Sequence, residues 1–379
     1  MKLFLIAGEP SGDRLGAALM IGLKALSPAV EFAGIGGPLM QAQGMQSLFP
    51  MEELSIMGIA EVLPKYFALK RRIAQSAAAA VAYSPAAMIT IDSPDFCLRV
   101  AQIVKSSRPS LRTIHYVAPS VWAWRPGRAA KMAKVIDHVM ALLPFEPPFM
   151  TAAGMSCDFV GHPVVSEPVA TPAEARAFRR AHDIAPDAPL IAILPGSRKG
   201  EITRLAPQFG EVARNLIANH PTARFLIQTV QSQSALVHGL TQHWPGKPVY
   251  LDAPSPMDRA AAFTAANVAL AASGTVSLEL AAQSCPMVIA YDLNRLTYWL
   301  MRKMALIDTV TLVNLVTETR TVPEFLGERC RADLITPAIL QLLDNHRDQI
   351  GAMRQTMKLL GQGDASPGMR AARSVLSVL

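Results

Sequence analysis

Short apolar runs alternate along the chain with longer stretches of helical periodicity. The first run, Lys2–Ala7, ends at a glycine, and apolar positions at helical spacing follow from Leu15 to Leu26. Continuous apolar runs bounded by Gly, Pro or Asp are typical of parallel strands covered on both faces. Four more such runs follow in the first half of the chain: Glu31–Gly34, Met88–Ile91, Arg112–Val117 and Val139–Leu142. The alternation predicts an α/β fold with doubly wound parallel sheets.

A second series of strands begins after Pro163–Pro189, a stretch rich in proline and charge. We expect this stretch to connect two domains and to contain one short helix over Ala173–His182. The strand candidates of the second series are Leu190–Leu194, Arg224–Gln228, Val249–Leu251, Val268–Ala271 and Met287–Ala290. The pattern therefore predicts domains over residues 1–165 and 166–345 and a helical segment over 346–379. That segment is expected either to cross back over the first domain or to pack on a partner chain.

Composition narrows the class of protein. Of the 379 residues, 51% are apolar and 17% are charged, which excludes a disordered chain. The low charged fraction argues against a dedicated nucleic-acid-binding protein, which would usually cluster far more Lys and Arg on one face. The net charge of +7 suits an enzyme attracted to phosphates or anionic lipid. The four cysteines are scattered, so we expect no disulfide, no metal site and a reducing cytoplasm. No apolar run is long enough for a signal peptide or a transmembrane helix.

In open parallel sheets, ligands bind beyond the carboxyl ends of the strands, so the loops there hold the candidate chemistry. The loop after the first strand contains Ser11, Gly12 and Asp13, and its glycines let the backbone approach a ligand. In the alternative, Ser11 or Asp13 only caps the following helix. Asp92 leaves a later strand and is a candidate general base toward a hydroxyl, with helix capping as its alternative. Asp95 is expected to cap the next helix.

Two loops of the second half have the features of anion-binding sites. Gly196-Ser197-Arg198 follows a strand and opens a helix, where free N–H groups, a hydroxyl and a guanidinium suit a phosphate. Its alternative is a structural turn with a surface arginine. Ser273-Gly274-Thr275 follows another strand, and Glu279 lies one helical turn further on. Here the amides suit a phosphate and Glu279 suits ribose hydroxyls; the alternative is a helix cap with a solvated glutamate.

Taken together, these residues resemble the lipid-A-disaccharide synthase family, which are glycosyltransferases of the GT-B type. The motifs that carry the resemblance occur in the family's order over about residues 1–320: GEPSGD, MGIAEVL, IDSPDF, HYVAPSVWAWR, LPFE, FVGHP, LPGSR and ASGTVSLE. The resemblance implies two Rossmann-like domains facing a cleft. It also implies inverting transfer of 2,3-diacylglucosamine from UDP-2,3-diacylglucosamine to 2,3-diacylglucosamine 1-phosphate, without a metal or other cofactor.

The resemblance implies roles for individual residues. Asp92 matches the family's candidate base, and Arg198 would contact the UDP diphosphate or the reacting sugar. The residues expected to bind the UDP-sugar on the second domain are Gly196, Ser197, Arg198, Ser273, Gly274, Thr275, Glu279 and Asn314. Ser11, Gly12 and Asp13 would form a loop on the acceptor side, in the first domain.

Both of these substrates carry acyl chains, so the resemblance implies a peripheral enzyme on the cytoplasmic face of the inner membrane. Residues 57–74 combine apolar and basic side chains, as interfacial membrane elements do. The apolar side chains are Val62, Leu63, Phe67 and Leu69, and the basic ones are Lys65, Lys70, Arg71 and Arg72. The alternative is an ordinary amphipathic helix packed on the first domain.

Two rival functions fit parts of this pattern. A different GT-B enzyme, such as a UDP-N-acetylglucosamine 2-epimerase or a glycosyltransferase with a soluble or polyprenyl acceptor, would lack the apolar-basic helix and the IDSPDF motif. A non-catalytic sugar-nucleotide or lipid-binding protein would bind UDP without forming product. No nucleic-acid partner is expected, and the apolar C-terminal helices permit a homodimer with exchanged C-termini.

Overall fold

The computed structural model describes residues 1–54, 59–272, 274–292 and 304–379. The chain divides into two compact units, one formed by residues 1–165 with 360–379 and the other by residues 166–359. Each unit contains one six-stranded parallel sheet. The helical segment expected over 346–379 is therefore shared between the two units instead of forming a separate piece.

The first unit is built on strands paired in the order β2-β1-β3-β4-β5-β6. These strands are β1 (Lys2–Ala7), β2 (Glu31–Ile35), β3 (Ala87–Ile91), β4 (Arg112–Tyr116), β5 (His138–Ala141) and β6 (Ser156–Phe159). The helices of this unit are α1 (Pro10–Leu26), α2 (Pro38–Ala42), α3 (Ile59–Tyr83), α4 (Pro94–Ser107), α5 (Gly127–Met132), α6 (Pro147–Thr151) and, at the end of the chain, α15 (Pro367–Ser377).

Helices cover both faces of this sheet, which explains why the inner strands β1 and β3 are buried at nearly every position. Leu3 and Leu5 of β1 pack in one buried cluster with residues of α1 and α15. Phe4 and Ile6 point to the opposite face and pack with residues of α3 and α4. The expected doubly wound fold is confirmed in this unit.

The C-terminal helix α15 crosses back onto α1, which was the first of the two expected alternatives. Glycines allow the close approach: a Cβ on Gly368 would lie 2.5 Å from the carbonyl oxygen of Ala18, and one on Gly22 would lie 2.6 Å from that of Gly368. Ser374 also bonds His138 of β5, with 2.8 Å between Oγ and Nε2. The last helix is therefore part of the first unit's core.

The second unit repeats the architecture, with strands in the order β12-β11-β10-β7-β8-β9. They are β7 (Leu190–Leu194), β8 (Arg224–Gln228), β9 (Val249–Leu251), β10 (Val268–Ala271), β11 (Met287–Tyr291) and β12 (Glu324–Leu326). The described helices are α7 (Pro172–Ala181), α8 (Lys199–Asn219), α9 (Ser234–Thr241), α10 (Pro256–Ala265), α11 (Val276–Ala282), α12 (Leu312–Thr317), α13 (Ala332–Asp344) and α14 (Arg347–Leu359).

The sequence pattern missed two strands, β6 and β12. Both lie at the edge of a sheet, where one side of the strand has no neighbour. β6 reads SCDF with alternate exposed and half-buried positions, so it lacks the apolar run by which the other strands were recognised. Within the described ranges, no helix is long and apolar enough to cross a membrane.

Candidate active site

Asp92 is the first residue beyond β3, at the carboxyl edge of the first sheet. Its N–H donates to the carbonyl oxygen of Tyr116 at 3.0 Å, so its backbone stays tied to β4. Asp92 and Ser93 have φ values of 53° and 43°, in the left-handed region that is costly for non-glycine residues and is often found at functional turns. The Asp92 carboxylate is partly exposed and accepts the N–H of Ser93 at 2.9 Å. The predicted base therefore stands at the sheet edge on a backbone-fixed turn.

Asp95 does not cap α4 as expected. The N-terminus of that helix has no side-chain cap. The Asp95 side chain is 94% exposed and lies 3.7 Å from the Arg128 guanidinium. This carboxylate therefore contributes little to the position of the Asp92 turn.

The glycine loop after β1 packs directly on the Asp92 turn, because β1 and β3 are neighbours. A Cβ on Gly8 would lie 2.7 Å from Ser93 Oγ, and a Cβ on Gly12 would lie 3.3 Å from the carbonyl oxygen of Ile91. Ser11 is exposed in the first turn of α1. The structure thus brings Ser11 and Gly12 to the same edge as Asp92.

Asp13 has a different role from the one expected. Its side chain is 2% exposed. Its carboxylate oxygens accept the N–H groups of Gly37, Leu39 and Met40 at 2.9–3.0 Å. Asp13 therefore caps α2, neither capping α1 nor facing a ligand, and it fixes the loop that follows β2.

A buried glutamate that the sequence analysis did not single out anchors the tryptophan-containing loop after β4. Glu146 Oε1 accepts the indole N–H of Trp122 at 3.1 Å, and its Oε2 accepts the N–H groups of Leu142 and Leu143. Burial raises the pKa of Glu146 to about 7. The ring of Trp122 also packs edge-on against Phe145, with centroids 5.1 Å apart. Two loops at the carboxyl edge of the first sheet are therefore joined through one carboxylate.

Helix α3 carries the expected apolar-basic residues, and the structure divides them between surface and core. Phe67 is 82% exposed, whereas Leu69 packs against the buried cluster of the first unit. Arg72 makes hydrogen bonds of 2.6 and 2.8 Å with Glu53, so its charge is paired within the fold. Val62 and Leu63 belong to α3, but their side chains lie outside the described part of the structure.

In the second unit, Gly196, Ser197 and Arg198 connect β7 to α8. The amides of Ser197 and Arg198 were expected to be free, and this is wrong. Both donate to Glu201 Oε2, at 2.9 and 3.4 Å. The Arg198 side chain is exposed at the N-terminus of α8. The guanidinium and the exposed Ser197 hydroxyl are therefore the groups that this loop presents to an anion.

The loop after β10 is described from Gly274 onward, and Ser273 lies outside the described residues. Gly274 has a φ of 137°, which favours glycine, and it is exposed together with Thr275. The hydroxyl of Ser277 donates to the carbonyl oxygen of Gly274 at 2.9 Å. Glu279 is no solvated glutamate, because its carboxylate lies 3.2 Å from the Arg259 guanidinium.

Asn314 is fully buried, contrary to the expectation that it binds the UDP-sugar directly. Its Nδ2 donates to the Thr309 hydroxyl at 3.2 Å and to the Val322 carbonyl at 3.0 Å. Its Oδ1 accepts the Val322 N–H at 3.0 Å. The amide therefore holds together the segment between α12 and β12 and has no donor left for a nucleotide.

The remaining reactive groups are spread through the fold. All four cysteines are free, and burial raises the pKa of the Cys285 thiol to about 12. Among the residues that the structure describes, no three His, Cys, Asp or Glu side chains form a group that could hold a metal ion.

Comparison with known proteins identifies the family. A model of the lipid-A-disaccharide synthetase family matches residues 3–373. The lipid-A-disaccharide synthase of Ruegeria pomeroyi is 57% identical over 385 aligned positions, covering 100% of this chain and 96% of that protein. The chain belongs to the lipid-A-disaccharide synthase family. It is therefore a glycosyltransferase.

A second relative agrees with this family, and a solved structure shows the fold. The synthase of Rhodospirillum centenum is 46% identical, covering 100% of this chain and 95% of that protein. Among solved structures, UDP-GlcNAc 2-epimerase from Neisseria meningitidis bound to UDP-GlcNAc matches with a TM-score of 0.66 and 11% identity, covering 100% of this chain and 99% of that one. The structural match shows a shared GT-B fold, and at this low identity it says nothing about activity. The synthase family, in contrast, is matched over almost the whole length of the chain. The epimerase alternative is therefore not favoured.

Proposed function

We propose that this chain transfers 2,3-diacylglucosamine from UDP-2,3-diacylglucosamine to the 6-hydroxyl of 2,3-diacylglucosamine 1-phosphate. In this reaction the acceptor O6 attacks the donor C1 from the face opposite the diphosphate. The bond from C1 to the diphosphate oxygen breaks, the new C1–O6 bond inverts the anomeric centre, and UDP leaves. Family membership supports this chemistry, and the residues at the two sheet edges supply the groups that it needs.

The observation that carries the catalytic assignment is the position of Asp92. A general base must reach the attacking hydroxyl, and a partly exposed carboxylate at the carboxyl edge of a parallel sheet is in the usual place to do so. In the proposed step, Asp92 accepts the O6 proton as the new bond forms. Ser11 and Gly12 would line the acceptor side, since their loop packs on the same turn, and Asp13 would act only by fixing the neighbouring loop.

We assign the leaving group to the second unit. The exposed Arg198 guanidinium would stabilise the negative charge that develops on the diphosphate, an effect that depends on preorganised charge. Gly274 and Thr275 would contact the UDP, with Ser273 beside them in the sequence. Glu279 would accept hydrogen bonds from the ribose hydroxyls while Arg259 holds its carboxylate in place. Asn314 would support this site only by fixing the loop before β12.

We further propose that α3 contacts the inner face of the cytoplasmic membrane. Phe67 supplies exposed apolar surface, and Lys70 and Arg71 are exposed beside it. Apolar bulk with adjacent positive charge is the combination that binds anionic lipid surfaces. Leu69 belongs to the core and would anchor the helix instead of entering lipid.

A homodimer would reuse a contact already present in one chain. Helix α15 packs on α1 through glycine contacts, and the same surface would accept the α15 of a second copy if the C-termini were exchanged. Light scattering during size-exclusion chromatography would distinguish monomer from dimer.

The decisive experiment is an assay with both lipid substrates in mixed micelles, with and without EDTA. A tetraacyl disaccharide 1-phosphate and one equivalent of UDP are expected, and the rate should not change with EDTA. Binding of UDP-2,3-diacylglucosamine without disaccharide formation would contradict the proposed acceptor. Loss of product with EDTA would contradict the metal-free mechanism and leave the transfer reaction standing.

A further inference from the structure

Glu201 lies beneath the loop that carries Arg198. It is the third residue of α8 and is 7% exposed. Its Oε2 accepts the N–H of Ser197 at 2.9 Å and the N–H of Arg198 at 3.4 Å. A buried carboxylate is stable only when it is paired or hydrogen-bonded, and here the loop's own backbone supplies donors. The carboxylate and the loop therefore stabilise one another.

The fit of the loop over this carboxylate is close. Gly196 has a φ of 110°, and a Cβ at this position would lie 2.1 Å from Glu201 Oε2. The carbonyl oxygen of Gly196 accepts the Thr229 hydroxyl at 2.8 Å. The loop is thus held by Glu201 on one side and by the end of β8 on the other.

Tyr291 connects the carboxylate to another strand. Tyr291 is the last residue of β11, and burial together with the nearby Glu201 carboxylate raises the pKa of its hydroxyl. In the sheet, β11 is separated from β7 by β10. Glu201 therefore bonds the loop after β7 and lies close to the carboxyl end of β11, a strand that does not touch β7.

We propose that Glu201 is a positioning residue for the transfer reaction, holding the Gly196–Arg198 loop so that the Arg198 guanidinium is presented at the sheet edge, with Tyr291 orienting the Glu201 carboxylate. This proposal rests on the proposed function of Arg198. It has one chemical consequence: because Glu201 occupies the amides of Ser197 and Arg198, this loop binds the diphosphate through the guanidinium and not through those amides.

The first test is kinetic and uses Glu201→Gln. The amide keeps the shape of the side chain and one acceptor oxygen but removes the negative charge, so the two charge-assisted bonds from the Ser197 and Arg198 N–H groups weaken and kcat/KM should fall about tenfold to a hundredfold. Tyr291→Phe keeps the carboxylate and should cause a smaller loss in the same direction. Glu174→Gln is the matched control: Glu174 is the third residue of α7, accepts the Thr171 N–H at 2.7 Å, and should be kinetically silent.

A double-mutant cycle separates positioning from a general structural effect. If Glu201 acts through Arg198, the variant Arg198→Ala with Glu201→Gln should lose no more activity than Arg198→Ala alone. If the two losses multiply, Glu201 acts on something other than Arg198, and the proposal is overturned.

Hydrogen exchange of the loop provides a readout that does not depend on activity. The amides of Ser197 and Arg198 should exchange faster in Glu201→Gln and Glu201→Ala than in the parent, and at the parent rate in Glu174→Gln. Unchanged exchange in both Glu201 variants would overturn the positioning role. Full activity of Arg198→Ala would instead overturn the proposed function of Arg198, while the hydrogen bonds between Glu201 and the loop would still stand.

Discussion

The N–H of Asp92 donates to the carbonyl oxygen of Tyr116 at 3.0 Å. Asp92 lies one residue beyond Ile91, the last residue of β3 that pairs with β4. This bond extends the β3–β4 ladder into the turn, so the backbone of the two strands fixes where the Asp92 side chain begins. The left-handed φ of 53° then directs the chain into α4. Because backbone groups hold the turn, the carboxylate can be neutralised without disturbing its position.

Asp92→Asn should therefore lower turnover by about 10²–10⁴, which is typical of losing a general base. The affinity for the UDP-sugar should stay close to that of the parent, since the substitution leaves the second unit unchanged. Steady-state kinetics and direct binding of the donor measure the two quantities. Asp95→Asn is the control and should retain parent turnover. The Asp95 carboxylate is almost fully exposed, and its ion pair with Arg128 is long, at 3.7 Å. Parent turnover in Asp92→Asn would mean that another group takes the proton.

Arg198→Ala should lower kcat/KM by about 10²–10³, the usual effect of removing one group that stabilises transition-state charge. Donor affinity should also weaken, because the guanidinium would already contact the diphosphate in the ground state. Lys199→Ala removes the next exposed cation of the same helix start and should have a much smaller effect. Equal losses in the two variants would indicate a diffuse field of positive charge instead of a specific contact.

Glu146 should make stability depend on pH in a defined direction. Burial raises the pKa of Glu146 in the folded protein from an ordinary 4.5 to about 7. Its neutral form therefore stabilises the fold, fully so below about pH 4.5, and this contribution of up to about 3 kcal/mol is lost as pH rises through 7. Glu146→Gln cannot titrate, so the free energy of unfolding of the parent relative to this variant should fall between pH 5 and pH 8.

Urea unfolding followed by circular dichroism at several pH values measures this difference. Burial lowers the pKa of His115 and of His162 to about 4, so both histidines destabilise the fold as pH falls from 6.5 toward 4. That opposite trend occurs in both proteins and cancels in the comparison. A difference that does not change with pH would show that Glu146 titrates normally in the folded state.

Phe67→Ser should weaken binding to anionic vesicles about tenfold, because a large apolar side chain no longer enters the lipid interface. Vesicles containing phosphatidylglycerol should bind the parent more strongly than vesicles of phosphatidylcholine alone, and the difference should shrink in high salt. Ile103→Ser is the matched control, since Ile103 is an apolar side chain of α4 in the same unit and is 41% exposed. Equal binding by the Phe67 variant and the parent would remove α3 as the contact.

Gly368→Ala should destabilise the first unit by about 1–3 kcal/mol, because its Cβ would lie 2.5 Å from the carbonyl oxygen of Ala18 and the two helices must separate. Gly351→Ala is the control within α14, where an added Cβ meets nothing within 4 Å. That substitution should stabilise the protein by about 0.5–1 kcal/mol through its higher helix propensity. Thermal unfolding measures both changes, and equal effects would show that the α1–α15 contact is loose.

Much of the fold could be read from the sequence because its strands are buried on both faces. The predicted bounds of β1, β7, β8, β9 and β10 agree with the structure, and the other predicted strands begin and end within one residue of those observed. β6 and β12 were missed because each is short, includes a charged residue and is only partly buried. The order of strands within each sheet also had to come from the structure. The apolar pattern of a strand shows that the strand is buried, but it does not show which other strands pair with it.

The site was predictable only in part, and Asp13, Asn314 and Glu201 show why. The sequence pattern offered Asp13 as a loop or capping residue, the family resemblance offered Asn314 as a UDP-sugar ligand, and neither pointed to Glu201. Their hydrogen bonds, however, go to backbone groups whose availability depends on the fold: Asp13 reaches Met40, 27 residues away, and Asn314 reaches Val322. Whether such a side chain faces a ligand or supports a loop is decided by which donors are left unpaired when the chain folds.

The sequence by itself determined the two α/β halves, the family and the position of Asp92 at a strand end, because burial on both faces and strand-end loops leave a local pattern of residues. The tertiary structure alone decided that α15 packs on α1 and that Glu146 holds Trp122. These relationships join residues far apart in sequence. They depend on close approach and on the pairing of buried polar groups, and neither leaves a periodic trace along the chain.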